Sequence, residues 1–184
     1  MKINNFFKNS LSVIGLNIRE DKITAISLKK SDNDYKLNKI VTITTPTGSI
    51  KEGVIIAPEK ISLALKELWS KNKLKPRQVN ISIQGQDLLL RLVTVPSGNS
   101  ETIKKVLAEK INQYIGFANT KTVFSWENIE TINEKGEKKL KLLLAVAKEE
   151  LLNSYLKALT QAGLSINKVT FSSLAALNAV YDGK

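Results

Sequence analysis

Val13-Ile14-Gly15-Leu16-Asn17-Ile18-Arg19 is the stretch that decides the fold. Its side chains are apolar and largely β-branched with little interruption, which predicts a buried strand over residues 11–18. Arg19-Glu20-Asp21 is short and polar, and turns the chain back into a second strand over 22–30, where Ile, Ala and Ser alternate with Thr, Ile and Leu. Residues 35–44, from Tyr35 through Thr44, complete a three-stranded antiparallel meander, which Pro46 and Gly48 end.

The next signals are helical. Pro58 suits a first helical position, where its missing N–H leaves nothing unpaired. Ile61, Leu65, Leu68 and Trp69 then share one face up to about Lys73, and Glu59, Lys60, Lys66, Glu67 and Lys71 face water. Pro76 blocks continuation. Val79 to Ile83 alternates as a strand ending at Gly85, and Leu88 to Val95 is another, closed by Pro96 and Gly98. Ser100 is the expected N-cap of a helix to Tyr114 that buries Ile103, Leu107, Ile111 and Tyr114. Residues 121–131 and 138–147 form a hairpin around Asn133-Glu134-Lys135-Gly136. A helix over 149–162, with Leu152, Tyr155, Leu156 and Leu159 inward, stops at Gly163. A strand over 166–171 and a helix over 173–181 finish the order. Met1–Ser10 is polar apart from Phe6-Phe7 and reads as a loosely attached terminus, and residues 182–184 are a tail.

The 184 residues are 42% apolar and 24% charged, the range of a soluble globular chain. No apolar run reaches the roughly 20 residues that span a bilayer, and no secretory leader is evident. With neither Cys nor His, disulfides, zinc sites built on those ligands and His-based triads are excluded. Net charge is +11, from 28 Lys and Arg against 17 Asp and Glu. Dispersed lysines serve solubility. A basic face toward an anionic membrane stays open as a second reading. Specific nucleic-acid recognition is not expected, because Arg is scarce and only 6% of residues are aromatic. Glu149-Glu150 and Asp32/Asp34 read as surface acids rather than acid/base pairs, and Ser172-Ser173 has no base to activate it.

The order of elements and several local strings resemble one family. Ile14-Gly15-Leu16-Asn17-Ile18 is similar to its first strand, and Glu52-Gly53-Val54-Ile55 before Pro58 to its entry into the first helix. Gln84-Gly85-Gln86 leading to Thr94-Val95-Pro96 fits its next strands. Asn112-Gln113-Tyr114-Ile115-Gly116-Phe117 resembles a segment that usually reads Gln-Tyr-Ile-Pro-Phe, so Gly116 is a departure. Leu143-Leu144-Ala145-Val146-Ala147-Lys148 and Ala162-Gly163-Leu164 complete the set. The chain thus resembles the N-terminal half of the PilM-like type IV pilus assembly proteins, actin-like and more distantly related to FtsA.

That resemblance implies an α/β, ribonuclease-H-like subdomain 1A from residues 11–85 and 164–181, with an α/β subdomain 1C inserted at 86–163. It also implies a vestigial phosphate loop at Gly15, Asn17, Arg19 and Glu20. The family pattern is Gly-Leu-Asp-Ile-Gly-Ser, in which the Asp holds hydrated Mg²⁺; here Asn17 offers no charge and Arg19 replaces a Gly. No catalysis and no cofactor are expected, with ATP and Mg²⁺ reserved for a longer parent chain. The function implied is a cytoplasmic adaptor, peripheral on the inner face of the cytoplasmic membrane. It would dock the N-terminal peptide of a PilN-like bitopic membrane protein in a groove between 1A and 1C. Ile83, Gln84, Gly85, Leu88, Leu90, Tyr114, Ile115 and Phe117 are the candidate groove residues. The competing readings are the first half of an active actin-like ATPase, a basic nucleic-acid binder, and the cytoplasmic platform protein of type II secretion.

Overall fold

The computed structural model describes residues 12–31, 34–116, 120–134 and 136–180. Expectations placed on Phe6-Phe7, Asp32, Lys135, Phe117 and the 182–184 tail fall outside the described residues. The first strand, β1 (Ser12–Ile18), pairs antiparallel with β2 (Lys22–Ser31), which pairs antiparallel with β3 (Asp34–Thr44). The expected meander is therefore present. A two-stranded ribbon follows, β4 (Ile50–Lys51) and β5 (Val54–Ile55), then α1 (Pro58–Asn72) and β6 (Gln78–Ile83). Next come β7 (Leu88–Pro96), α2 (Ser100–Tyr114), β8 (Thr122–Glu134), β9 (Glu137–Lys148) and α3 (Glu149–Gln161). The described elements end with β10 (Ser165–Phe171) and α4 (Ser172–Val180).

The chain divides into two compact units, one of Met1–Gly85 with Asn153–Lys184 and the other of Gln86–Leu152. The first unit is thus re-entered inside α3, at Asn153. The cause is Tyr155: its ring is fully buried and its hydroxyl lies 3.5 Å from the Ile18 carbonyl oxygen of the first unit. Ser154 acts likewise, its hydroxyl accepting the Ile55 N–H at 3.1 Å.

The first unit is a five-stranded mixed sheet in the order β10-β6-β1-β2-β3, with β1, β6 and β10 mutually parallel. Pairing of Leu16 with both Ala25 and Ile81 sets one face of the sheet, and Ile14, Ile18, Ile23, Val79 and Ile83 share it. All are buried, together with Ile61, Leu65, Leu68 and Trp69 of α1. Burying one such side chain is worth about 1.5–3 kcal/mol, so this face fixes the strand register. The inward stripe of α3 is Leu151, Tyr155, Ala158, Leu159 and Ala162, and Leu156 is 46% exposed. Counting only the large residues had rotated the expected stripe, because the alanines complete the 3.6-residue period.

The loop between β4 and β5 shows why two glycines are required. Glu52 (φ 53°) and Gly53 (φ 90°) make a two-residue turn with both residues left-handed, the conformation that tight hairpins need. A Cβ on Gly53 would lie 2.3 Å from the Gln84 carbonyl oxygen, and one on Gly85 (φ 148°) 2.8 Å from that of Glu52. The strings Glu52-Gly53 and Gln84-Gly85, distant in sequence, thus press backbone against backbone.

The second unit is a three-stranded antiparallel sheet, β7-β9-β8, with α2 on one face. Ile103 and Leu107 of α2 pack with Val93, Val95, Leu140, Leu142, Leu144 and Val146. The helix is capped by Asn99 rather than Ser100: the Asn99 carboxamide oxygen accepts the Thr102 N–H at 2.8 Å and the Thr102 hydroxyl at 2.9 Å. An Asn at this position is as good an acceptor as Ser, and its side chain reaches further.

Candidate functional site

The residues expected to form a vestigial phosphate loop begin inside a strand. Gly15 and Asn17 belong to β1, on the sheet face opposite the buried isoleucines, and Arg19 and Glu20 form the turn that follows. The turn is tight, with the Arg19 N–H donating to the Lys22 carbonyl at 3.0 Å. The Asn17 carboxamide donates to the Ser82 hydroxyl at 2.7 Å and to the Ser172 hydroxyl at 3.4 Å. Ser172 in turn donates to the Ile83 carbonyl at 3.1 Å. These bonds tie β1, β6 and the first turn of α4 together.

A hydrated Mg²⁺ with a triphosphate does not fit these residues. The group at position 17 is a neutral amide already engaged with two hydroxyls. Arg19, the cation nearest the turn, is paired with Asp21 at 3.1 Å. Desolvation opposes ionisation of Asp21. Its backbone hydrogen bond and the charge and hydrogen bond of Arg19 outweigh that, holding the carboxyl below its ordinary range. Asp21 therefore stays anionic beside the loop, where it would repel phosphate. Among the described residues no group of three Asp or Glu gathers as metal ligands.

The second unit offers a different surface. Opposite residues in the β7/β9 ladder share a face, so Leu90 with Ala145 and Leu92 with Leu143 stand on the side away from α2. Val123 of β8, opposite Ala147, stands there too. Leu90 and Val123 are each 37% exposed and Leu92 is 53% exposed. The result is an apolar face without a helix of its own unit upon it. β9 is apolar on both sides over Leu142-Leu143-Leu144-Ala145-Val146-Ala147, as a strand buried on two faces would be.

The candidate groove residues divide accordingly. Ile83 is buried in the first unit at the end of β6, and Gln84 and Gly85 form the loop against Glu52-Gly53. Leu88 and Leu90 lie on the uncovered face of the second unit. Tyr114 and Ile115 lie on the opposite side, with the α2 core; Ile115 is buried and the Tyr114 carbonyl accepts from Arg91 at 3.0 Å. Phe117 is outside the described residues. Leu92, Val123, Leu143 and Ala145 were not singled out from the sequence. The signal was present in the unbroken run Leu88-Leu89-Leu90, whose two side-chain parities are both apolar.

The sequence matches the family "Type IV pilus assembly protein PilM" over residues 15–182. No curated protein sequence matches it. Among solved structures it is similar to the PilM-PilN type IV pilus biogenesis complex, with a TM-score of 0.80 and 22% identity. That alignment covers 90% of this chain and 49% of the other, so the chain spans about half the length of the PilM structure it matches. The cytoplasmic domain of EpsL, an inner-membrane component of the type II secretion system of Vibrio cholerae, aligns with a TM-score of 0.57 and 15% identity. That match covers 89% of this chain and 58% of the EpsL domain. The mixed α/β class expected from the sequence agrees with the sheet order and with the fold of the PilM match. With the family match extending over most of its length, the chain belongs to the type IV pilus assembly protein PilM family.

Proposed function

We propose that this chain is a non-catalytic adaptor of the type IV pilus inner-membrane assembly machinery, and that it holds the cytoplasmic N-terminal peptide of a PilN-like membrane protein. Family membership and the similarity to a PilM-PilN complex support the choice of partner. The observation that carries the reading is the apolar face of the second unit's sheet, formed by Leu88, Leu90, Leu92, Val123 and Leu143. An extended peptide with Ile or Leu at alternate positions matches such a surface: its side chains enter apolar pockets and its main chain fixes register. A non-catalytic role follows from the loop chemistry, since Asn17 and the paired Arg19 offer neither a metal carboxylate nor a free cation to phosphate. No helix among the described residues is long and apolar enough to cross a membrane. Recruitment through a membrane-anchored partner would place the adaptor on the inner face of the cytoplasmic membrane.

The test is titration of a labelled synthetic peptide, the N-terminal segment of a PilN-like protein, followed by fluorescence anisotropy. Micromolar binding is expected, weakened at least tenfold by the double substitution L92D/L143D. Absence of binding at several hundred micromolar would sink the adaptor reading.

A further inference from the structure

The two ends of the five-stranded sheet differ in charge. β1, β6 and β10 are parallel, so the start of β1 meets the end of β2, the start of β3, the last turn of α1 and the start of β6. Lys29, Lys30, Lys36, Lys39, Lys73, Lys75 and Arg77 are all there and all exposed. Their placement is fixed by contacts. Ser12 pairs with Lys29 and Lys29 with Lys36 in the ladder, and the Ser12 hydroxyl donates to the Lys75 carbonyl at 3.4 Å. The Lys39 ammonium donates to the Asn72 carbonyl at 2.9 Å, and the Ser165 N–H to that of Arg77 at 3.1 Å. Among the described residues at this end, Asp34 is the one carboxylate beyond Glu67, which Lys71 pairs. At the other end Arg19, Lys22 and Lys51 are balanced by Glu20, Asp21 and Glu52.

Like charges directly opposite in a ladder destabilise a sheet, so the Lys29/Lys36 pair costs stability that a neutral pair would not. We propose that this basic end of the first unit is a docking surface for an anionic phospholipid bilayer. The proposal deepens the adaptor reading, on which it rests for the presence of a membrane. Six of the seven cations are Lys, compact charges suited to a headgroup layer, whereas nucleic-acid readers rely on the guanidinium fork.

The experiment is sedimentation with phosphatidylcholine vesicles containing 30% phosphatidylglycerol, against pure phosphatidylcholine, at low and high salt. Each lysine held near an anionic surface contributes about fivefold to partitioning. Removing three such charges is therefore expected to cost on the order of a hundredfold, and the charge reversal K29E/K36E/K75E at least that. K22E/K51E/K104E, which removes the same formal charge elsewhere, is expected to lose less than tenfold. K29Q/K36Q/K75Q gives the same direction with a smaller change and serves if the charge-reversed chain fails to fold. Equal losses in the two triples would overturn the proposal, as would indifference to phosphatidylglycerol. So would tighter binding to a DNA or RNA duplex than to anionic vesicles at the same salt. Peptide titration on the same variants separates the two readings: K29E/K36E/K75E is expected to bind the peptide as the parent does. Loss of vesicle binding alone marks the lipid surface, and absence of peptide binding in the parent marks failure of the adaptor reading.

Discussion

Both sheets in this molecule bury one face, and they treat the other in opposite ways. In the first unit the centre of the free face is polar: Asn17, Asn80, Ser82 and Thr24 stand there, and Asn17 is bonded to Ser82. The apolar groups on that side, Val13, Ile26, Leu28, Leu37 and Ile40, lie on β2, β3 and the start of β1. In the second unit the free face is apolar at its centre, with Leu90, Leu92 and Leu143. A polar face satisfied by its own hydrogen bonds is at equilibrium with water, whereas exposed leucines gain free energy when another apolar surface covers them. The difference makes the second unit's free face the one with more to gain from a covering partner.

The contrast between buried and free faces is broken most directly in the second unit. Leu142→Ala and Leu144→Ala remove fully buried side chains facing α2 and are expected to cost 2–5 kcal/mol each, typical of such truncations. Leu92→Ala, on the same sheet but facing out, is expected to cost less than about 1 kcal/mol. Urea denaturation of the three variants measures this, and similar losses from both faces would abolish the distinction.

The buried face of the first unit is sharpened by pH. Burial pushes the Tyr155 phenol up from its ordinary 10.0 to about 12. Below pH 10 the phenol is protonated in both states. As pH rises toward 12 the unfolded chain releases the proton while the folded chain keeps it, so stability falls across that window by about 2.7 kcal/mol. Tyr155→Phe is expected to remove this component of the alkaline slope. Its cost at neutral pH should be about 1 kcal/mol or less, since the hydroxyl's 3.5 Å contact is a weak hydrogen bond. Thermal denaturation of both proteins from pH 8 to 12 tests it; identical slopes would show that the ring is not desolvated.

Element existence was largely legible because the periods are clean. The meander, both long helices and the hairpin emerged from alternation, helical stripes and turn residues alone. What was not legible depended on three-dimensional neighbours. Ala158 and Ala162 carry no obvious hydrophobic signal, yet they bring α3 close to its unit and complete its stripe. The cap went to Asn99 because an amide one residue earlier could reach the Thr102 N–H, a choice the sequence leaves open between two good acceptors. Asn17 and Arg19 read as departures from the loop that the sequence resembles, since each changes a chemical group outright. The leucine face depends on β7/β9 register, which pairs Leu90 with Ala145 and Leu92 with Leu143 and which the separate strands do not reveal.

Asn99 supplies the next smaller effect and a check on the covered face. Asn99→Ala removes the acceptor for the Thr102 N–H and is expected to cost about 1 kcal/mol, with α2 fraying first. Asn99→Ser should recover most of it. Hydrogen exchange of the first-turn amides distinguishes loss of the cap from general loosening, because only the former is confined to that turn.

The smallest expected effect concerns the polar face. Asn17→Asp places a carboxylate where one could hold a hydrated Mg²⁺, yet nucleotide binding is expected to stay unmeasurable at millimolar Mg·ATP. The new carboxylate would accept a hydrogen bond from the Ser82 hydroxyl, which can rotate to donate, so the fold should tolerate it. Arg19 would remain held by Asp21, and Asp21 and Glu20 would still set negative charge beside the loop. One ligand does not rebuild a site whose surrounding charges repel its substrate. Isothermal titration of the variant with Mg·ATP decides the matter: binding with a Kd in the micromolar range would mean that Asn17 alone separates this polar face from a working nucleotide site, and that the two free faces differ by one residue rather than by design.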